Sequence, residues 1–96
     1  MSLHRLEAGD AAAVLDSHGG RLSQLTVRGH DLLVPFTDRW TLSGCYPMVP
    51  WAGRLDRGRF TFRGAEYRLP ITMEPHAIHG VATSVDWDEL GDGRVR

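Results

Sequence analysis

Hydrophobic and polar residues alternate most regularly between Phe60 and Leu69. The apolar positions of this segment are Phe60, Phe62, Tyr67 and Leu69. The polar positions are Thr61, Arg63, Glu66 and Arg68. Residues two apart on a strand share a face, and Gly64 interrupts the alternation, so the pattern predicts a β-hairpin. We expect this hairpin to have one buried aromatic face and one polar face.

Upstream of this hairpin, short apolar runs alternate with turn residues. The predicted strands lie at 11–16, 21–28 and 31–34, and the predicted turns at 17–20 and 29–30. The alanines of 11–16 suit a helix equally well. The remaining segments are predicted to be irregular at 37–51 and 70–80, to hold a last strand around Trp87 within 81–90, and to fray at 91–96.

Glycine and proline recur every few residues, which leaves little room for a helix of ten residues. The sequence therefore predicts an all-β fold, organised as a single domain over 1–96. A chain of 96 residues buries only about two thirds of the surface that its unfolded form exposes.

Composition and charge exclude several classes of protein. The apolar fraction is 42% and the charged fraction 24%, as in a soluble globular protein. The formal net charge of −1 argues against a nucleic-acid or anionic-membrane partner. Cys45 is the single cysteine, so a disulfide scaffold is excluded. No stretch reaches transmembrane length and no signal peptide is evident, so we expect a cytoplasmic protein.

Two loops concentrate side chains that can bind a ligand, at 51–58 and 74–80. The predicted hairpin joins them, so both can lie at one end of the sheet. Arg54 can present a fork of donors to vicinal hydroxyls or a carboxylate, or it can simply pair with Asp56 or Glu74. The Trp51 ring can stack on the apolar face of a sugar, whereas Trp87 is expected in the core.

His76 and His79 form a His-x-x-His pair in the second loop. A zinc site is disfavoured, because the pair lacks cysteine or acidic ligands at zinc-binding spacing. Acid–base or hydrogen-bonding use is favoured instead, since histidine titrates near neutral pH. For His76, a solvated loop position is an equal alternative.

Several ordered segments together resemble the aldose 1-epimerase (galactose mutarotase-like) family. They are PWAGRLDRGRF at 50–60, GAEYRL at 64–69 and EPHAIHG at 74–80, with GGRLSQL at 19–25 upstream. The family has an Asn-Arg pair before a Gly-x-Phe hairpin, then a Gly-x-x-Tyr-x-Leu strand and a Leu-His-Gly-Gly element. Gly53 stands in place of the asparagine, and Val81 stands in place of the second glycine.

The resemblance implies an antiparallel β-sandwich, called a supersandwich, of which this chain is the N-terminal part. It implies a hexose-like sugar as ligand and no metal or organic cofactor. Arg54 and His79 fall on the family's sugar-contacting arginine and histidine and are the expected catalytic residues. His76 and Trp51 complete the expected substrate-binding set.

In the family, a glutamate base and a second histidine acid lie further along the chain, and no residue of 1–96 matches them. We therefore expect an N-terminal third with little or no mutarotase activity alone. The alternatives are a non-catalytic carbohydrate-binding or interaction module, and an inactive truncated fragment. Open sheet edges would favour self-association of such a fragment.

Overall fold

The structure, a computed structural model, describes residues 2–35 and 39–96. Two compact units are distinguished, one formed by Met1–Pro47 with Ala82–Arg96 and the other by Met48–Val81. The expectation of a single domain over 1–96 stays a prediction. Positions 37 and 38 of the predicted loop 37–51 lie outside the described residues, and the rest of that loop is irregular as expected.

The first unit contains a four-stranded antiparallel sheet. Its strands follow chain order: β1 (Leu3–Ala8), β2 (Ala11–Asp16), β3 (Arg21–Val27) and β4 (His30–Asp31). β1 was not predicted, because its sequence LHRLEA mixes charge and leucine without a clear period of two. The strand predicted at 11–16 is β2, so the helical alternative for its alanines is wrong.

The turn between β3 and β4 lies one residue earlier than predicted. Val27 pairs with His30, and the two residues between them, Arg28 and Gly29, have φ values of 51° and 78°. Two consecutive positive φ angles identify the type of turn whose twist matches that of the flanking strands. β4 therefore begins at His30, not at Asp31, and ends after two residues.

The C-terminal end of the chain forms a small hairpin of β9 (Glu89–Gly91) and β10 (Arg94–Val95). The prediction of a frayed tail is therefore wrong. The prediction of a strand around Trp87 is also wrong, since Trp87 lies before β9 and is half-buried instead of fully buried. Its indole Nε1–H donates to the carbonyl of Ala82 at 3.1 Å, a bond that holds the ring at the edge of the core.

An arginine occupies the buried centre of the first unit. Arg21 is only 5% exposed, and its guanidinium donates to the carbonyl oxygens of Trp40 and Ser43. The same guanidinium lies 4.5 Å from the centre of the Tyr46 ring. Buried cations are tolerated where hydrogen bonds replace water, so these carbonyls and the aromatic ring keep the loop around residues 40–46 in place.

The second unit carries the predicted hairpin. Its strands are β5 (Arg54–Leu55), β6 (Arg59–Phe62), β7 (Ala65–Arg68) and β8 (Ala77–Ile78); β6 pairs with β7, and β5 with β8. Arg63 and Gly64 form the β6–β7 turn with φ values of 51° and 78°. The hairpin is thus confirmed, while the loop predicted at 70–80 contains the short strand β8.

The aromatic face of the β6–β7 hairpin is exposed, so the prediction of a buried face is wrong. Phe60, Phe62 and Tyr67 are 40%, 55% and 46% exposed. Phe60 and Tyr67 are cross-strand partners whose rings stack 5.2 Å apart. The physical reason is that a two-stranded sheet covers each ring only with hairpin neighbours, such as the Arg63 guanidinium 5.0 Å from the Phe62 ring, and full burial needs a second layer.

The predicted all-β, antiparallel class is confirmed. Every pairing between two strands is antiparallel in the described residues, which contain short 3₁₀ turns but no α-helix. Within 2–35 and 39–96 we also find no helix of the length and apolarity needed to cross a membrane.

An exposed ion pair in the first unit predicts a pH dependence of stability. His18 Nδ1–H donates to Asp86 Oδ1 at 2.8 Å, and this bond lowers the pKa of Asp86 from 3.8. A carboxyl group with a lowered pKa stabilises the fold above its unfolded pKa, and this contribution is lost as the pH falls through the folded value. We expect Asp86→Asn to lower the free energy of unfolding near pH ~6 but not near pH ~2, as measured by urea unfolding.

The control for this experiment is Asp92→Asn, because Asp92 is exposed and has no bonded partner in the described residues. Equal pH profiles for the Asp86 and Asp92 variants would contradict a stabilising role for the His18–Asp86 pair.

Candidate functional site

Pairing of β5 with β8 brings the two candidate loops together. Arg54 lies opposite Ile78, and Leu55 lies opposite Ala77. Ile78 and Ala77 are 5% and 1% exposed, so this short ladder is anchored in the small core of the second unit. The sequence predicted that the loops share one end of a sheet; the structure joins them as neighbouring strands.

Gly53 and His79 extend the ladder by a reciprocal pair of hydrogen bonds. The Gly53 N–H donates to Nδ1 of His79 at 3.0 Å, and the His79 N–H donates to the Gly53 carbonyl oxygen at 3.0 Å. One bond holds the backbone of His79 and the other holds its imidazole ring. The ring orientation is therefore set by the main chain of the neighbouring loop.

The backbone at His79 is held in an unusual conformation. His79 has a φ of 57° and Gly80 a φ of 72°, both in the left-handed region. The Val81 N–H donates to the carbonyl oxygen of Val49 at 2.8 Å, which draws that carbonyl against Gly80. A Cβ atom on Gly80 would overlap the Val49 oxygen, so only glycine permits this approach. Non-glycine residues in this region store strain that surrounding contacts must offset, and such strain concentrates at functional sites.

His76 is held in a similar way on the same loop. Its Nδ1 accepts a hydrogen bond of 3.0 Å from the Arg57 N–H and lies 3.5 Å from Asp56 Oδ1. Its main chain exchanges two hydrogen bonds with Met73, of 2.7 and 2.9 Å. The alternative of a freely solvated His76 is therefore wrong, since both the ring and the backbone have defined partners.

The two histidines share one consequence of this geometry. A nitrogen that accepts a hydrogen bond from an N–H carries no proton of its own, so neutral His76 and His79 hold their proton on Nε2. Both rings are thereby set as Nε2–H donors. Such donors suit the hydroxyl and ring oxygens of a sugar.

Arg54 is exposed, and its Nη2 lies 3.5 Å from the sulfur of Met73. Neither of the expected ion pairs, with Asp56 or with Glu74, forms. A thioether is a weak acceptor, so the guanidinium keeps its strong donors for another group. Arg54 follows Gly53 in the chain and lies opposite Ile78 in the β5–β8 ladder, one position from the Gly53–His79 pair.

Trp51 is half-buried, and its Nε1–H donates to the Gly53 carbonyl oxygen at 3.1 Å. The indole nitrogen is therefore used within the loop, and the ring face is the part of Trp51 suited to a ligand. Gly53 thus contacts both Trp51 and His79 through its main chain.

Sequence reasoning missed the main-chain groups of Gly53 and Arg57, which hold the two histidine rings. It also missed Thr72, whose hydroxyl accepts a hydrogen bond of 3.1 Å from the Ile78 N–H and supports β8. No side-chain pattern signals a backbone donor. Within the described part of the chain, no three or more His, Cys, Asp and Glu side chains are grouped to hold a metal ion.

The chain is similar in sequence to a known protein family and to several individual proteins. The aldose 1-epimerase family model matches residues 2–92. YihR, an uncharacterized protein of Escherichia coli K12, is 34% identical over 86 residues, which cover 85% of this chain and 28% of YihR. Galactose mutarotase of Mus musculus is 49% identical over 35 residues, or 36% of this chain and 10% of the mouse protein.

A solved structure is also similar. It is a crystal structure from Escherichia coli K12, provisionally assigned as an aldose 1-epimerase, with a TM-score of 0.75 and 28% identity. The match covers 90% of this chain and 31% of that chain. The chain thus spans less than a third of the length of each of these relatives.

The close approach at Gly80 predicts a selective loss of stability. Gly80→Ala introduces a Cβ into the Val49 carbonyl, whereas Gly64→Ala, at a similar φ of 78°, meets no atom within 4 Å. We expect Gly64→Ala to cost about 1 kcal/mol of unfolding free energy and Gly80→Ala at least ~2 kcal/mol more, as measured by urea unfolding. Equal losses of unfolding free energy in the two variants would contradict this prediction, because the backbone at Gly80 would then make room for the Cβ atom without additional cost.

The ring hydrogen bonds predict specific tautomers, which long-range ¹H–¹⁵N NMR measures directly. Neutral His79 and His76 should carry the proton on Nε2, because a backbone N–H occupies Nδ1. His18 is the internal control with the opposite result, because its Nδ1–H donates to a carboxylate. A proton on Nδ1 of His79 would contradict the described hydrogen bond.

Proposed function

The chain belongs to the aldose 1-epimerase family, and from this premise we propose that it supplies the arginine–histidine part of a sugar-binding site. The whole activity that we propose is the interconversion of α and β anomers of a hexose-like aldose. Arg54 and His79 are the proposed catalytic residues, and Trp51 and His76 complete the proposed binding set. No metal or organic cofactor is required by this chemistry.

The observation that carries the proposal is the bond from the Gly53 N–H to Nδ1 of His79 at 3.0 Å. It fixes His79 as an Nε2–H donor one ladder position from Arg54, whose guanidinium has only the Met73 sulfur as its described contact. A guanidinium and a fixed neutral N–H donor are each suited to an oxygen on which negative charge develops. The Trp51 ring face can pack on the apolar face of the sugar ring.

Mutarotation needs two proton transfers. A base removes the proton of the anomeric hydroxyl, the ring C–O bond breaks, and an acid protonates the ring oxygen; closure on the other face of C1 reverses these steps. In the tautomer set by Gly53, His79 does not act as the base, because the Nδ1 lone pair is already used. We therefore assign His79 to orienting the sugar and stabilising charge on a sugar oxygen.

The base and the acid of the family have no counterparts among residues 1–96, and each such group accelerates a reaction by typically 10²–10⁴-fold. We therefore expect the isolated chain to bind sugar without turning it over. A non-catalytic sugar-binding module is the second candidate, favoured by the same observation that both histidines present a donor and neither presents a base. The expected cytoplasmic location stays a prediction.

Binding is tested by titrating the ¹⁵N-labelled chain with galactose or glucose and following the Gly53 amide and the His79 ring by NMR. We expect saturable shifts. Arg54→Gln and His79→Asn should each weaken binding about tenfold or more, since each removes a donor to the ligand. Asparagine is chosen at position 79 because it tolerates a positive φ.

The matched control is Arg63→Gln, in which an exposed arginine of the β6–β7 turn loses its charge instead. Equal affinities of the Arg54 and Arg63 variants, or no shift at any sugar concentration, would refute the proposed site. The anomerisation rate of fresh α-galactose, followed by polarimetry, then tests the expectation that the isolated chain does not turn the sugar over. Acceleration that is abolished by His79→Asn would show that this chain supplies its own acid and base.

A further inference from the structure

The outer edge of β1 carries main-chain groups without partners in the described residues. The Ser17 N–H donates to the Ser2 carbonyl oxygen at 2.9 Å, so these two residues form a hydrogen-bonded position directly beyond the Leu3–Asp16 pair that ends the β1–β2 ladder. Such pairs alternate along an antiparallel ladder. The amide groups of Leu3, Arg5 and Glu7 therefore point away from β2.

The opposite side of this sheet is covered, even though β4 is only two residues long. The Leu32 N–H donates to the carbonyl oxygen of Leu25 at 2.9 Å. Leu22 and Cys45 exchange two hydrogen bonds of 2.8 and 3.0 Å. Among the described residues, the long unpaired edge of the four-stranded sheet is therefore that of β1. Such an edge is a template for another strand.

The sequence of β1 is complementary to itself in one antiparallel register. When two copies are aligned about Leu6, Arg5 of each copy lies opposite Glu7 of the other. Both residues have outward-pointing amide groups, so each Arg5–Glu7 pair exchanges two backbone hydrogen bonds. A shift of the register by one residue would place an outward amide opposite an inward one and break this pattern.

The side chains fit the same register. Arg5 and Glu7 lie on one face of β1, and within a single copy they form an ion pair of 2.9 Å with side chains 64% and 66% exposed. Exposed side chains on one face are able to exchange this partner for the equivalent residue of a second copy. The formal net charge of −1 gives little repulsion between copies.

We propose that a second copy of this chain pairs with the β1 edge, in the antiparallel register centred on Leu6. The two four-stranded sheets then form one continuous sheet. Cross-strand Arg–Glu pairs contribute favourably and like charges unfavourably, so charge selects this register. The contact is small, and we expect a weak dimer. This inference does not depend on the proposed sugar site.

Charge exchange tests the register. Arg5→Glu alone, or Glu7→Arg alone, places like charges opposite each other in both cross-strand pairs, and the double variant restores opposite charges. Sedimentation over a concentration series up to about 1 mM should show a dimer for the native chain. The dissociation constant should rise about tenfold or more in each single variant and return to the value of the native chain in the double variant.

A monomer at every concentration would overturn the proposal. A dimer whose dissociation constant is equal in all four proteins would also overturn it, because the contact would then lie elsewhere. Circular dichroism of each variant verifies that the fold is retained, since both side chains are exposed.

Cross-linking tests the centre of the register independently of charge. In a Cys45→Ser background, Leu6→Cys places two thiols opposite each other at a close, non-hydrogen-bonded pair, where Cβ atoms lie about 5 Å apart. Mild oxidation should give a disulfide-linked dimer. The matched control is Leu32→Cys in the same background, at an exposed position away from β1. Equal cross-linking of the two variants would contradict the proposed register.

Discussion

The reciprocal hydrogen bonds between Gly53 and His79 determine the arrangement of the candidate site. The β5–β8 ladder has only two residues per strand, which is too short to hold a loop by itself. Gly53 and His79 extend it, and the bond from Val81 to Val49 continues the pairing beyond it. Each bond contributes only about 1 kcal/mol, but a backbone group left unpaired in this region would cost as much or more. The strained backbone at His79 persists because these bonds determine it from both sides.

The second hairpin was predictable because two independent signals agree there. The alternation on either side of Gly64 gives the strands, and the turn residues give the connection. Strand β1 was not predicted because it has only six residues. In so short a run, the charged residues Arg5 and Glu7 do not produce a clear alternation of polar and apolar positions. The two-residue strand β8 was not predicted because its hydrogen-bond partners lie in β5, which is distant in sequence, and the local sequence does not indicate them.

The candidate site was predictable in its side chains and not in its supports. The loop compositions and the family resemblance singled out Arg54 and His79. They did not indicate that the Gly53 main chain would hold the imidazole. The absence of an asparagine side chain at position 53 therefore leaves this support intact, because the bond to His79 is made by a backbone N–H. Hydrogen bonding also compensates for a small apolar core, as the carbonyl-bound Arg21 in the first unit illustrates.

The occupied Nδ1 atoms have a consequence for chemical reactivity. A neutral imidazole reacts with electrophiles through its unprotonated nitrogen, and in His76 and His79 that lone pair is directed at a backbone N–H. Acylating and alkylating reagents that label ordinary surface histidines should therefore meet two side chains with masked nucleophilicity. The same arrangement that makes these rings dependable hydrogen-bond donors through Nε2 also makes them poor nucleophiles.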